Sequence, residues 1–283
     1  MQTLRGIWIL AVFLTTAMAT VPWQTLAIRL KLKSRKMLPH RYSRFLCRLF
    51  GLKVTVIGEP LRDRGVLMVS NHTSYLDIIV LGGVSPVSFV AKSEVNDWPF
   101  FGLMARLYET VFVERNRRSK AGAARDQLRQ RLKAGDALVL FPEGTSNDGN
   151  RVLPFKSALM GAVEAEVGSD AQGHVRHVPV QPVSITYVGF QGMPMGRENR
   201  PLFAWYGDME LVPHLWEAVT AGPVEVVVEF HQPMSVDTVG DRKTLAARAE
   251  AVVRRGQARA LAGLSGAHPP TTGRSRALAG AIA

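Results

Sequence analysis

Residues 6–28, "GIWILAVFLTTAMATVPWQTLAI", form an uncharged and mostly apolar run. The pattern then changes: Leu38, Tyr42, Phe45, Leu46 and Phe50 recur at helical spacing among basic residues, which predicts an amphipathic helix. From Lys53 it changes again, to short apolar runs separated by helical stretches. "KVTVIG", "GVLMVS", "VSFVAK", "TVFVER" and "ALVLFP" predict strands, each brief and bounded by Gly, Pro or charge. Helices are expected near 75–81, 99–107 and 119–133, with further strands in "HVPVQPVSITYV" and "PVEVVVEF" and a helix near 242–255. Strands alternating with helices predict an α/β domain with a mixed, largely parallel sheet flanked by helices. The expected organisation is a membrane-anchoring helix with a basic amphipathic segment over 1–50, one domain over 51–265, and a disordered tail over 266–283.

Charge sharpens the reading of the first segment. The 283-residue chain carries a net charge of +12, and ten of its 35 Lys and Arg residues precede Glu59, the first acidic residue. An apolar run of about 20 residues suffices to cross a hydrocarbon core. Pro22 and the threonines equally allow a helix lying in the interface, the small residues around Ala17 and Ala19 a cleaved signal, and the run a buried core helix. The stretch that follows, "RLKLKSRKMLPHRYSRFLCR", resists translocation and favours an anchor whose flank stays cytoplasmic. Beside an apolar run, such a cluster suits anionic lipid headgroups, at about 1 kcal/mol per basic residue, rather than nucleic acid. Cys47 is the only cysteine, which excludes an intrachain disulfide and leaves no cysteine metal cluster to expect.

Three polar stretches follow strand ends. In "SNHTSYLD", His72 and Asp77 are five residues apart, so within one helix they would diverge by about 140°. They meet only if His72 precedes an N-cap at Thr73 or Ser74 and folds back on the first turn. The carboxylate would then hold one imidazole nitrogen and leave the other to take a proton. The alternative is a plain capped helix with Asp77 favoured by its dipole. "TVFVERNRR" puts Arg115, Arg117 and Arg118 at a strand end, either as an anion site or as a solvated basic loop. "ALVLFPEGTSNDGN" runs a buried strand into Glu143, Gly144 and Thr145, either as a polar site or as a turn set by "NDGN". There is no G-x-S-x-G elbow and no H-E-x-x-H spacing, so neither an activated serine nor a metal is expected. His174 and His177 are expected in an exposed polar loop, and the aromatic residues of "PLFAWYGDMELVPHLW" in the core or facing a membrane.

Asn71 to Asp77 resembles the NHxxxxD signature of the glycerolipid acyltransferases, especially the bacterial 1-acylglycerol-3-phosphate acyltransferases. "VFVERNRR" is similar to their arginine-bearing second block, "FPEGT" to their third and "VPVQPVSI" to their fourth, in the family's order. The resemblance implies that His72 is the general base, oriented by Asp77, for direct attack of a lipid hydroxyl on an acyl thioester. It implies Arg115, Arg118, Glu143, Gly144 and Thr145 as acceptor-binding residues, and Pro179 with its neighbours as shaping the acyl or acceptor site. It further implies no cofactor beyond a thioester co-substrate of acyl carrier protein or coenzyme A. The partners would be a membrane lipid acceptor and an anionic membrane surface, with the domain on the cytoplasmic side of the inner membrane. The first expectation is therefore acylation of 1-acylglycerol-3-phosphate to phosphatidic acid, in phospholipid biosynthesis. One departure bears on it: many such members follow FPEGT with Arg-Ser, whereas this chain has Ser146-Asn147. The alternative acceptor is lyso-ornithine lipid or another lysolipid; a non-catalytic lipid-binding protein is disfavoured by the intact His72 and Asp77.

Overall fold

A computed structural model describes residues 2–114, 118–169 and 175–265. The expected tail over 266–283 lies outside the described residues. Helix α1 (Gln2–Arg29) runs unbroken through Pro22, which sits on its exposed side. The threonines that dilute its apolar character bond back to the helix: Thr16 Oγ1 donates to Val12 O (2.7 Å) and Thr25 Oγ1 to Val21 O (2.8 Å). Helix α2 (Ser34–Phe50) follows and ends at Gly51, whose φ of 74° is the left-handed turn that closes many helices.

The domain proper then alternates as expected. Its elements are β1 (Leu52–Ile57), β2 (Val66–Ser70), α3 (Leu76–Val84), β3 (Ser88–Lys92), α4 (Phe101–Leu107), β4 (Val111–Val113), α5 (Arg118–Lys133) and β5 (Ala137–Leu140). They continue with β6 (Glu166–Ser169), β7 (Val175–His177), β8 (Val180–Phe190), β9 (Met193–Pro194), α6 (Leu211–Ala221), β10 (Val224–Phe230), α7 (Val236–Val239) and α8 (Arg242–Leu261). The main sheet has the order β1-β10-β8-β2-β5-β3-β4, with β9 added to β8. Only the β10–β8 and β8–β9 pairs in it are antiparallel, so the sheet is mixed and largely parallel. The sequence pattern did not indicate α6, the short β6–β7 hairpin or β9.

Strand β2 shows why the central strands read as unbroken apolar runs. Val66 and Met68 join a core formed with α1, α2, α3 and α6, while Leu67 and Val69 join a second core with α5 and α8. Side chains alternate across a strand, so both faces being covered makes every position apolar. On the second face α8 lies so close to β8 that a Cβ at Gly256 would stand 2.4 Å from Ser184 Oγ. β2 lies between β5 and β8 and runs parallel to both, so the loops leaving β2 and β5 emerge side by side at one sheet edge.

Candidate active site

The site is built at the carboxyl end of β2. Pairing with β8 stops at Ser70 opposite Val183, and Asn71 replaces the next ladder bonds with its side chain. Its Nδ2 donates to Ile185 O (2.8 Å) and its Oδ1 accepts from Ile185 N–H (2.9 Å). The main chain is thereby held as it leaves the sheet. His72 comes next, before the helix, and Asp77 lies in the first turn of α3.

His72 Nδ1 lies 2.9 Å from Asp77 Oδ2. A carboxylate only accepts, so Nδ1 carries the hydrogen and Nε2 keeps its lone pair. No hydrogen bond to Nε2 is formed among the described residues. The imidazole is 20% exposed, whereas Asp77 is fully buried. Oδ2 of Asp77 also accepts from the N–H groups of Thr73 (2.7 Å) and Ser74 (3.0 Å), and Oδ1 accepts from the Tyr187 hydroxyl (2.8 Å). Four donors and the amino end of α3 stabilise the carboxylate, and among the described residues no Lys or Arg pairs with it. The expected cap is thus modified. Ser74 Oγ accepts from Leu76 N–H (3.3 Å), while Asp77 reaches back to secure Thr73 and Ser74 themselves.

The loop leaving β5 supports His72 from the other side. The Phe141 ring stacks on the imidazole, with centroids 4.0 Å apart and planes 16° apart. Glu143, 1% exposed, accepts the His72 backbone N–H (3.1 Å) and Asn147 Nδ2 (2.8 Å). Asn147 in turn donates its own N–H to His72 O (3.3 Å). Burial pushes the Glu143 carboxyl up to about 8, against hydrogen bonds from His72, Leu153 and Asn147 that favour its charge. Glu143 therefore grips the histidine's main chain and does not face the solvent.

The remaining candidates are placed differently. Gly144 has φ 76°, open to glycine, and its N–H closes a turn on Phe141 O (3.1 Å). Thr145 is exposed in the same loop. Arg115 and Arg117 lie outside the described residues, and Arg118 is described only as the first residue of α5. Pro179 is not brought to the site: its carbonyl accepts from Leu67 N–H at the opposite end of β2, about 16 Å along the strand from His72. His177 is at that far edge too, half-buried in β7 with Nδ1 2.5 Å from Asp237 Oδ1, and not in an exposed loop. His174 lies outside the described residues.

Sequence reasoning met Asn71 and Phe141 only as letters of the two motif blocks, without a role, and missed Tyr187, Asn147 and Trp205 as parts of the site. Trp205 N–H donates to Thr73 O (3.0 Å), and its carbonyl accepts from the Ser146 hydroxyl. It therefore ties the turn after β2 to the loop after β5. Its ring lies edge-on to Tyr75 and Trp98, at 6.1 and 5.9 Å. Behind these rings an apolar cavity of about 160 Å³ runs among Tyr75, Ile78, Phe89, Trp98, Phe101 and Met104.

The family model described as "Acyltransferase" matches residues 53–186, which contain the whole histidine–aspartate turn and the β5 loop. A lyso-ornithine lipid O-acyltransferase of Brucella abortus is 46% identical over 252 residues, covering 89% of this chain and 93% of that one. The chain belongs to the Acyltransferase family. A 1-acyl-sn-glycerol-3-phosphate acyltransferase of Neisseria gonorrhoeae is 30% identical, over 70% of this chain and 72% of that one. The crystal structure of the 1-acyl-sn-glycerophosphate acyltransferase PlsC from Thermotoga maritima matches with a TM-score of 0.63 and 27% identity, over 90% of this chain and 92% of that one. Membership makes this chain an acyltransferase of the glycerolipid class, and its apolar α1 agrees with association to membranes.

Proposed function

We propose that this chain is an O-acyltransferase that moves a fatty acyl group from a thioester donor to the free hydroxyl of lyso-ornithine lipid at a membrane surface. The observation that carries the acceptor is Ser146. Where many phosphatidic-acid-forming members place an arginine, this chain has a hydroxyl, and that hydroxyl is already engaged by Trp205 O. No cation is therefore supplied at this position for a phosphate. The similarity to the Brucella lyso-ornithine lipid enzyme supports the same acceptor over 1-acylglycerol-3-phosphate.

In this reading His72 Nε2 takes the proton of the acceptor hydroxyl as its oxygen attacks the thioester carbonyl. Asp77 stabilises the imidazolium so formed. The tetrahedral intermediate collapses with loss of the thiol of acyl carrier protein or coenzyme A, which receives the proton from His72. Glu143 and Asn147 hold the backbone of His72, and Phe141 holds its ring, so the base is oriented before substrate arrives. The apolar cavity beside Tyr75 suits a hydrocarbon chain.

The placement of α1 supports docking in the plane of the membrane. One side packs along the domain: Gly6 lies against Trp216 and Thr220, Phe13 against Phe50 and Phe100, and Gln24 Nε2 donates to Leu107 O (2.8 Å). The other side exposes Leu4, Ile7, Trp8, Leu14 and Met18 within one apolar sector, and Trp23 is exposed at its margin. A helix held lengthwise to its domain lies in the interface more readily than it crosses, with the basic residues after it on anionic headgroups. The membrane would be the inner one, with the domain on its cytoplasmic side.

The test is an assay of the purified protein with one acyl donor against lyso-ornithine lipid and lysophosphatidic acid side by side. Faster turnover of lyso-ornithine lipid is expected. Equal or faster acylation of lysophosphatidic acid overturns the acceptor assignment.

A further inference from the structure

Asp77 presents two oxygens with different work. Oδ2 takes the imidazole and the two backbone N–H groups of its own turn, all local in sequence. Among the described residues Oδ1 takes a single donor, the hydroxyl of Tyr187, from 110 residues away on β8. Tyr187 lies two residues beyond Ile185, whose backbone Asn71 clamps, and alternation along the strand puts both side chains on the α3 face. The ring is 3% exposed and runs nearly parallel to Phe203, at 4°. A phenol in such a core needs one partner, and here it takes the carboxylate oxygen that His72 leaves open.

We propose that Tyr187 is a positioning residue of the acyl transfer: its hydroxyl locks the Asp77 carboxylate in rotation and disperses its charge, which sets how tightly Asp77 holds His72. The proposal rests on the reading of His72 and Asp77 given above. Burial, with the Asp77 charge adding to it, keeps the Tyr187 phenol protonated, so it can only donate to this carboxylate. Among the described residues, the other ionisable groups around the pair are Tyr75 on the same turn, Glu143 from the β5 loop and Cys47 from α2.

The experiment is Tyr187→Phe in the full-length protein, with kcat, KM and the pH profile of kcat/KM measured for lyso-ornithine lipid and for lysophosphatidic acid. Loss of a hydrogen bond to a charged group lowers kcat about tenfold or more, with KM little changed. With its charge undispersed, Asp77 holds the imidazolium more strongly, and the acid limb moves up by about half a pH unit. In an Asp77→Asn background, Tyr187→Phe should add almost nothing, because the carboxylate it acts on is gone. Phe203→Leu, which loosens the same ring pocket and leaves the hydroxyl, should not move the acid limb.

An unmoved limb in Tyr187→Phe, an equal movement in Phe203→Leu, or losses that simply multiply with Asp77→Asn would overturn the role of Tyr187. If Tyr187→Phe does not fold, protein carrying 3-fluorotyrosine gives the same readout. Its more acidic phenols donate more strongly, so the limb should move down, and an unmoved limb rejects the proposal. Full turnover in His72→Ala removes the underlying reading instead, so the two failures are told apart.

Discussion

Replacing Glu143 by Gln tests the reasoning about the β5 loop most directly, because it removes the titrating group and leaves the shape. In the native protein the Glu143 carboxyl is pushed by burial from 4.5 to about 8. Between those values the native state keeps a proton that the unfolded chain has released, so stability falls as pH rises through this window and levels off above it. At about 1.4 kcal/mol per pH unit, the loss across the window is on the order of 5 kcal/mol. His231 acts in the opposite sense: burial lowers it from 6.5 to about 4, so stability falls as pH drops through that range. The wild-type curve alone therefore mixes the two, and the difference between variant and wild type isolates Glu143.

At pH 5 the Gln variant should be the less stable by about 1–3 kcal/mol, because its amide nitrogen meets the Asn147 amide nitrogen where a carboxyl oxygen accepted a bond. By pH 8.5 the order should reverse, since Gln has no buried charge to form. The assay is urea unfolding in detergent micelles, followed by tryptophan fluorescence from pH 5 to 8.5. Curves that stay parallel, without crossing, refute the assignment of a buried, proton-holding Glu143.

Three further outcomes are expected. His72→Ala should lower turnover by about 10²–10⁴-fold with an unchanged circular dichroism spectrum; turnover near that of wild type removes the general-base role. Gly256→Ala forces a Cβ against Ser184 and His231, and should cost about 1–3 kcal/mol in unfolding experiments. Ser184→Ala should recover part of that loss, and no recovery would place the strain elsewhere. Replacing exposed Trp8 and Trp23 together by Glu should weaken binding to anionic vesicles about tenfold or more while helix content is kept. Undiminished binding, measured by vesicle sedimentation, would show that another surface docks the protein.

The alternation of strands and helices was legible in the sequence because covering both faces of β2 and β5 makes those strands apolar throughout. The pairing of His72 with Asp77 was legible too, since a helix start between residues five apart leaves one geometry in which they meet. Helix α1 was legible as an apolar run, but not its continuity through Pro22, which sits on the exposed side of a helix packed on the domain.

What the sequence could not disclose are contacts whose partners lie far apart in the chain. Asn71 and Ile185 are 114 residues apart, His72 and Glu143 are 71, and Ser146 and Trp205 are 59. They meet because β2 lies between β5 and β8, an order that no local pattern encodes. Pro179 is the converse case. It belongs to a recognisable block, yet the direction of β8 carries it to the far edge of the sheet. Local sequence thus determined the elements and the histidine–aspartate turn, because propensity and capping act over a few residues. Which side chains hold that turn was decided only by the tertiary structure, through strand order and the burial that makes each polar group find a partner.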